Sequence, residues 1–538
     1  MANQTSASHS EVQQSQPDGV KDWKSELPSL DPIPSWWMKE YHSPLASHGQ
    51  YGRLPDRSAQ NTKTITIIGT GITGISCALN LVNSLSTDQA RNRLKLKENP
   101  INIVLVEARE FCSGATGRNG GHLTASAILG TKTRAEKFSA AEAIRAVKLE
   151  LKSVKDLLDL IHSHDWKDDV DLVEGGNVHI YNDHKEQAQQ MDQLQFANSL
   201  GLDLSGIHWL DKQAAVQAYG LRNSSVGALK IPGNNLFPSK LMTKIYGLIQ
   251  SKASLIDGLN VELFTHTAVL KIERSAFGKP NWMVHTSRGK FESKYVVHAT
   301  NAYASYLLPQ LRAHPQQIIV PTRAQVIAVQ PKSSNRSRVW TSGFSANEGY
   351  DYLFQRPFRP SEKRSADPRN PVVILGGGRN HAPPQFEVGI GDDSRLNGQV
   401  GTYLRSFLPQ WFPSYYGDLD NGDVVHEWPG IMGFTKGRVV SDEEEAFLNF
   451  RKKKKLKWWI TEGRLPDFST DHDPIVGHLV ENGSQVEGQF IAAGYSGHGM
   501  SRAPGCAEVV ASMIFSELMS EKWSVPDWFP THYLTVRA

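Results

Sequence analysis

Residues 64–74 read TITIIGTGITG, and the next eight residues, ISCALNLV, carry apolar side chains at helical spacing. The β-branched run before the first glycine predicts a buried parallel strand. The first glycine permits a sharp turn, the second lets the backbone approach a pyrophosphate, and the third lets the helix pack closely on the strand. Free N–H groups at the helix N-terminus would bind the anion. The stretch therefore predicts a dinucleotide-binding unit that uses Gly69, Gly71, Ile72, Thr73 and Gly74.

A second apolar run, 101–106, ends in Glu107, whose carboxylate is placed to bind ribose hydroxyls. A dinucleotide fold expects this acid about 20 residues after the glycines. The interval is longer here because a polar segment, 86–100, intervenes, and we interpret that segment as a surface loop. Residues 107–122 then read EAREFCSGATGRNGGH. Their glycines permit close approach to a flat ring, and three polar side chains supply hydrogen bonds for phosphate: Thr116, Arg118 and Asn119.

Residues 107–122 resemble the second fingerprint of the D-amino-acid-oxidase superfamily of flavoproteins. In that family a glutamate, six residues and then Gly-Ala-Ser/Thr-x-Arg-Asn-Gly-Gly surround the FAD pyrophosphate. The resemblance extends over about 64–519 and is closest to gamma-glutamylputrescine oxidoreductase-like and glycine oxidase-like members. It implies an α/β fold, in which a Rossmann-type FAD-binding domain (glutathione-reductase-2-like) carries an inserted α+β substrate domain built on a mostly antiparallel sheet.

The resemblance implies FAD rather than NAD as the resident cofactor. We expect noncovalent FAD, although some relatives carry a histidine near the position of His122 that is bound covalently to the flavin. In the fingerprint the implied cofactor contacts are Glu107, Ala108, Arg109, Gly114, Ala115, Thr116, Arg118, Asn119, Gly120, Gly121 and His122. Later in the chain, Val269 would contribute its backbone to the adenine end, and Ala299 and Thr300 would lie under the pyrophosphate.

A closing strand, glycine loop and helix, 489–519, would lie beside the flavin pyrimidine ring. There the helix N-terminus would stabilise negative charge on the reduced ring. The implied contacts in this segment are Gly494, Gly497, His498, Gly499 and Met500. His498 is also a candidate catalytic residue, and a structural loop histidine is the alternative interpretation.

Composition and charge indicate an ordinary globular protein. The chain has 538 residues, 39% of them hydrophobic and 21% charged, which accommodates two domains with large cores. A formal net charge of +3 is too small to indicate a nucleic-acid partner. Three cysteines without a close pair indicate a reducing compartment. A signal-peptide pattern and long apolar runs are absent from the sequence, which predicts a cytoplasmic protein without a membrane span.

The predicted domain organisation is discontinuous. It comprises an N-terminal arm, partly disordered, at 1–60; an FAD-binding domain at 61–138, 222–310 and 471–520; a substrate domain at 139–221 and 311–436; a charged insertion at 437–470; and a C-terminal tail at 521–538. Within the substrate domain, residues 171–180 are interpreted as a hairpin. For the insertion, three interpretations remain open: a solvated insertion whose acidic and basic blocks offset each other, a nuclear-import signal, and unspliced noncoding sequence translated in frame.

The candidate substrate-pocket residues lie on predicted antiparallel strands between 317 and 428. Arginine offers a bidentate fork to a carboxylate, and tyrosine offers a polar tip on an aromatic wall. The candidates are Tyr350, Tyr352, Arg356 and Arg379. The alternative is that all four are structural sheet residues. No pattern with metal-ligand spacing stands out in the sequence.

The resemblance implies an FAD-dependent oxidoreductase that oxidises the C–N bond of a small amine or amino acid. Hydride would pass to flavin N5, and water would hydrolyse the resulting imine. Oxygen or another acceptor would reoxidise the flavin. Two alternatives remain open: a 2-hydroxy-acid oxidoreductase on the same fold, and a flavin-binding protein without turnover.

Overall fold

The computed structural model describes residues 23–55, 62–275, 281–312, 318–330, 339–359, 371–383, 386–417, 423–436 and 473–536. The start of the predicted N-terminal arm, residues 1–22, and the predicted charged insertion at 437–470 lie outside these ranges. Among the described helices, none combines the length and apolar character that crossing a membrane requires.

The described strands are numbered in chain order. They are β1 (Lys63–Ile68), β2 (Ile101–Val106), β3 (His122–Leu123), β4 (Asn177–Tyr181), β5 (His208–Asp211), β6 (Gly227–Ile231), β7 (Asn234–Asn235), β8 (Leu259–Phe264), β9 (Val269–Arg274), β10 (Trp282–Thr286), β11 (Gly289–Ser293), β12 (Tyr295–His298), β13 (Ile318–Val329), β14 (Gly343–Ala346), β15 (Asp351–Gln355), β16 (Val373–Gly377), β17 (Val424–Lys436), β18 (Ile475–Glu481) and β19 (Ser484–Ala493).

The described α-helices are numbered in the same way. They are α1 (Trp36–Glu40), α2 (Ile72–Leu85), α3 (Asp88–Leu94), α4 (Thr131–Lys137), α5 (Ala140–Ser163), α6 (His184–Ser199), α7 (Lys212–Tyr219), α8 (Pro238–Ala253), α9 (Ala304–Leu307), α10 (Gly398–Trp411), α11 (Pro413–Tyr416) and α12 (Gly499–Leu518).

The nucleotide-binding side is a six-stranded sheet in the order β18-β19-β12-β1-β2-β8, parallel except for the β18–β19 pair. Its strands are covered on both faces, which explains why β2 reads as a continuous apolar run. Ile103 and Leu105 belong to the core that includes residues of α2, α8 and α12. Val104 and Val106 belong to a second cluster with residues of the three-stranded sheet β11-β10-β9. The parallel sheet and its helices form the expected Rossmann-type domain.

The second large sheet has eight strands in the order β17-β13-β16-β15-β14-β4-β6-β5, antiparallel except for the β14–β4 pair. One face packs on α10 and α11 through a core that includes Leu353, Leu375 and Phe407. The opposite face contributes Val326, Phe354 and other residues to a cluster with the aromatic side chains of α1. Strand β6, which we expected on the nucleotide-binding side, pairs within this sheet.

Two local predictions were wrong. Residues 171–180 do not form a hairpin of their own, because the strand that begins at Asn177 pairs with β6 and β14, both distant in sequence. The predicted surface loop 86–100 contains the helix α3, whose N-cap Thr87 accepts a hydrogen bond from the backbone of Ala90 at 3.3 Å. The polar composition of α3 hid it, whereas capping and its two buried side chains hold it in place.

Candidate functional site

The two predicted fingerprints meet at the N-terminus of α2, where the glycine loop follows β1. A Cβ on Gly74 would overlap the carbonyl oxygen of Gly69, so glycine is required for this close approach. The hydroxyl of Thr116, from the second fingerprint, accepts a hydrogen bond from the backbone N–H of Ile72 at 3.0 Å. The structure therefore brings together the glycine loop and the Gly-Ala-Thr segment, as expected for a shared pyrophosphate site.

Glu107 lies at the carboxyl end of β2, where the sequence placed it. Its carboxylate accepts hydrogen bonds from the backbone N–H and the hydroxyl of Thr70, at 3.0 and 2.8 Å, and from the backbone N–H of Arg109 at 3.2 Å. The Thr70 hydroxyl in turn accepts a hydrogen bond from the backbone of Cys112 at 2.9 Å. These contacts fix the carboxylate beside the glycine loop.

The guanidinium groups of the fingerprint line the cavity and are also paired with one buried carboxylate. Nη1 of Arg109 lies 3.0 Å from both carboxylate oxygens of Asp393, and Nε of Arg118 lies 3.4 Å from the same carboxylate. All three side chains are buried, and burial lowers the pKa of Arg118 to about 10. We call these three residues the Arg–Asp–Arg cluster. Its arginines stabilise the loop, although Nη2 of Arg118 has no hydrogen-bond partner within the described ranges.

One cavity of about 820 Å³ connects the two sheets. The predicted residues that line it are Gly69, Gly71, Ile72, Thr73, Glu107, Ala108, Arg109, Gly114, Ala115, Thr116, Arg118, Asn119, Gly120, His122, Val269, Ala299, Thr300, Tyr350, Tyr352, Arg379, Gly497, His498, Gly499 and Met500. Gly74, Gly121, Gly494 and Arg356 do not line it. Gly74 packs against the backbone of Gly69, which does line the cavity.

The residues present fit FAD. The cavity joins a helix N-terminus, a fixed carboxylate and a floor of small residues, which are the elements a dinucleotide needs. In the described part of the chain, the buried hydroxyl of Thr300 has no hydrogen-bond partner, as is also true of Arg118 Nη2. Such orphaned polar atoms in a cavity wall are the groups that a polar ligand would satisfy. No group of histidine, cysteine and acidic side chains suited to a metal ion occurs among the described residues.

Tyr352 lines the cavity. A Cβ on Gly120 would overlap its ring, which explains why the fingerprint has glycine there. Burial raises the pKa of Tyr352 to about 12, so its hydroxyl stays protonated at neutral pH. His122 packs edge-on against this ring, with centroids 5.6 Å apart, and burial lowers the pKa of His122 to about 4. Both side chains are therefore neutral.

Arg379 follows β16 and packs its guanidinium against two aromatic rings. It lies 4.9 Å from the ring centroid of Phe434 and 6.0 Å from that of Tyr350. Burial lowers the pKa of Arg379. Within the described ranges, no carboxylate lies within ion-pair distance of this group, in contrast to Arg323 nearby, which pairs with Glu387. Arg379 thus offers a desolvated cation to the cavity.

Arg356 lies outside the cavity, which corrects its candidacy for the pocket. Its guanidinium lies 5.9 Å from the ring centroid of Trp36 in α1. The arm that carries α1 also supports the fingerprint: Trp37 Nε1 donates to the carbonyl of Asn119 at 2.7 Å, and Ser35 Oγ donates to that of Gly117 at 2.6 Å. The arm therefore covers this end of the sheet and fixes the cofactor loop.

His498 occupies the N-cap position of α12 and is exposed at the cavity rim, whereas Met500 is buried. The first turn of α12 is held by Arg502, whose Nε lies 2.7 Å from Glu150 of α5. Sequence reasoning missed this buried pair and the adjoining carboxylate of Asp473, which lies 3.1 Å from Arg134 of α4. The only sequence signal was an arginine and an acid on predicted helices, without any spacing that links them.

Comparison with known proteins agrees with this geometry. A sequence model of the family described as DAO, FAD dependent oxidoreductase, matches residues 64–513. A probable oxidoreductase, OrdL, from Rhizobium meliloti (strain 1021) is 23% identical over 379 residues, which cover 70% of this chain and 74% of OrdL.

Two solved structures illustrate the similarity in fold. Glycine oxidase from Geobacillus kaustophilus superposes with a TM-score of 0.57 at 16% identity, covering 89% of this chain and all of that one. L-proline dehydrogenase from P. horikoshii gives a TM-score of 0.56 at 17% identity, covering 88% and 97% of the two chains.

Proposed function

Because the chain belongs to the DAO family of FAD dependent oxidoreductases, we propose that it oxidises the C–N bond of an amino acid or a carboxylate-bearing amine. The chain is an oxidoreductase whose cofactor is FAD, held noncovalently as is typical of this family. The observation that carries the finer proposal is the guanidinium of Arg379, which lines the cavity without an ion-pair partner among the described residues.

A substrate carboxylate would be the natural partner of this guanidinium. A half-buried cation that packs against two aromatic faces has lost part of the hydration it had in water. The lowered pKa of Arg379 expresses that cost. A carboxylate accepts two parallel N–H···O bonds from one guanidinium, so it restores the lost interactions and fixes the ligand's orientation. Arg379 would therefore bind and orient the substrate.

Tyr352 and His122 would shape the reacting region without serving as acid or base at neutral pH. Tyr352, whose pKa is about 12, offers a neutral hydroxyl, and His122, whose pKa is about 4, stays uncharged. A substrate amine would therefore bind next to neutral groups, which favours its uncharged form. When bound, FAD would supply the redox chemistry by accepting a hydride at N5 from the carbon that bears this amine. Water would then hydrolyse the imine.

The fold comparisons support an amino-acid substrate class. The titles of the two superposed structures name enzymes of glycine and of L-proline. Both are less than 25% identical to this chain, so they support the class and leave the individual substrate to experiment.

The test is anaerobic titration of the holoenzyme, followed by absorbance between about 300 and 550 nm. Glycine and proline are compared with methylamine and pyrrolidine, which keep the amine and lack the carboxylate. An Arg379→Met variant should raise the half-saturating concentration of the amino acids about 10- to 150-fold, the effect of losing hydrogen bonds to a charged group. It should leave the half-saturating concentrations of methylamine and pyrrolidine unchanged.

Arg356→Met is the matched control, because Arg356 is likewise an arginine beside an aromatic ring and lies outside the cavity. It should leave the half-saturating concentrations unchanged. Two outcomes would contradict the proposal. One is a flavin that is bleached by 2-hydroxy acids alone; the other is an Arg379→Met variant whose half-saturating concentrations rise equally for amino acids and amines.

A further inference from the structure

The cavity extends from the Arg379 end of the eight-stranded sheet to β4. Gly376, Tyr352, Ser345 and His179 are paired in register on four adjacent strands, so they share one face of the sheet. Because neighbouring strands lie about 4.8 Å apart, this row spans about 14 Å from Gly376 to His179. A substrate held at one end of the row can therefore reach β4 only if it is extended.

Three polar atoms at the β4 end have no partner within the described ranges. They are Nε2 of His179, Oη of Tyr181 and Oγ1 of Thr124. The three residues line the same cavity, and Tyr181 is only 3% exposed. Buried polar atoms in proteins are nearly always paired with protein, water or ligand. We call these three residues the distal pocket.

The distal pocket carries no net charge. Burial lowers the pKa of His179 to about 4 and raises that of Tyr181 above its usual value, so both are neutral at neutral pH. Three charged side chains line the cavity nearby: Arg134, Glu186 and Glu348. Arg134 donates to Asp473 at 3.1 Å, and the Glu186 carboxylate accepts from the backbone of Glu348 at 3.1 Å. An anionic occupant would therefore lose its hydration without gaining an opposite charge, because Arg134 is already paired with Asp473.

We propose that the distal pocket binds an uncharged hydrogen-bonding group, such as an amide or a hydroxyl, at the far end of an extended substrate whose carboxylate is bound by Arg379. The assignment rests on the proposed function, because Arg379 supplies the other anchor. It adds a substrate class: amino acids or amines with a long side chain that ends in a neutral polar group. Hydroxyl and imidazole groups both donate and accept, so they suit an amide better than an alkyl end.

The test uses three carboxylates of equal chain length that have no amine to oxidise: 6-acetamidohexanoate, nonanoate and nonanedioate. Each is titrated into the holoenzyme, and binding is measured from the change in flavin absorbance and by calorimetry. Tyr181→Phe removes only the unpartnered hydroxyl. It should weaken the binding of 6-acetamidohexanoate about 3- to 10-fold, the effect of losing one net hydrogen bond. Tyr181→Phe should leave the affinity for nonanoate unchanged. In the wild type, nonanedioate should bind most weakly of the three carboxylates.

Tyr246→Phe is the matched control, since the Tyr246 hydroxyl accepts a hydrogen bond from Gln250 at 2.6 Å and Tyr246 lies outside this cavity. It should change none of the affinities. Equal effects of Tyr181→Phe on the amide and on nonanoate would overturn the distal pocket and indicate that water alone satisfies these atoms. Tight binding of nonanedioate would overturn its preference for a neutral group. Arg379→Met distinguishes the two proposals, because unchanged binding of all three carboxylates in that variant contradicts the proposed function instead.

Discussion

Asp393→Asn tests whether the Arg–Asp–Arg cluster holds the cofactor loop. The carboxylate of Asp393 is fully buried, and it joins a segment that follows β16 to the fingerprint arginines Arg109 and Arg118. Asp393 does not line the cavity. Any effect of its substitution on FAD must therefore pass through the arrangement of the loop.

The magnitude follows from what each guanidinium retains. Breaking a buried ion pair by removing one charge typically costs about 3–5 kcal/mol. Arg109 keeps carbonyl acceptors at Ser29 and Ser113, and Arg118 keeps three carbonyl acceptors, so we expect the lower end, about 3 kcal/mol. At about 2–4 °C per kcal/mol for a large domain, the melting temperature should fall by about 6–12 °C.

The assay is thermal unfolding of the holoenzyme, followed by flavin fluorescence, together with the dissociation constant of FAD for the apoprotein. Asp393→Asn should lower the melting temperature and weaken the binding of FAD. Asp392→Asn is the control. Asp392 precedes Asp393 in sequence, and its carboxylate accepts hydrogen bonds from the backbone and the hydroxyl of Ser394 instead of from the arginines of the cluster. It should behave as the wild type. Equal melting temperatures and equal FAD affinities for the two variants would refute the reasoning.

Two further predictions concern stability. Burial lowers the folded-state pKa of three histidines, His122, His179 and His298, from the usual 6.5 to about 4. As the pH falls below 6.5, these histidines therefore gain protons in the unfolded chain and stay neutral in the folded one. Stability that is complete well above pH 6.5 should therefore fall as the pH drops towards 4, by up to about 1.4 kcal/mol per pH unit for each histidine, and a melting temperature that stays constant from pH 6.5 to 5 would contradict this. Replacing 437–472 by four glycine and serine residues should preserve the melting temperature and FAD content, because Thr435 Oγ1 donates to the carbonyl of Asp473 at 2.9 Å; loss of FAD from that variant would show that the replaced segment is needed.

The parts of the fold that sequence alone could predict are those that local patterns determine. The glycine loop, Glu107 and the Gly-Ala-Thr segment each lie within one strand–turn unit, and the structure brings them together at Thr116 and Ile72. The same logic identified Tyr352 and Arg379 as cavity residues. Each of these predictions depended on residues within about twenty positions of each other or on a specific family motif.

The predictions that failed depended on partners far away in sequence. Arg356 follows β15 on the same face as Tyr352, and only the position of α1, some 320 residues earlier, removes it from the cavity. The register of the strand at 177–181 is set by pairing with β6 and β14, which a short stretch of sequence cannot reveal. Asp393 carried no pattern at all, because its importance arises from two arginines more than 270 residues upstream.

Asp473 is held by residues that lie outside the 437–472 segment. Its buried carboxylate is bound by His532 and Tyr533, at 3.1 and 3.0 Å, as well as by Arg134, and these contacts keep its pKa below the usual value although burial opposes them. The Thr435 hydroxyl donates to the carbonyl of Asp473, so described residues on either side of the 437–472 segment are bonded to each other. Closing a flexible loop costs only about 0.6 kcal/mol for each doubling of its length, so a segment of that size costs about 2 kcal/mol more than four residues. We therefore expect the pairing of Thr435 with Asp473 to persist when the connection is shortened.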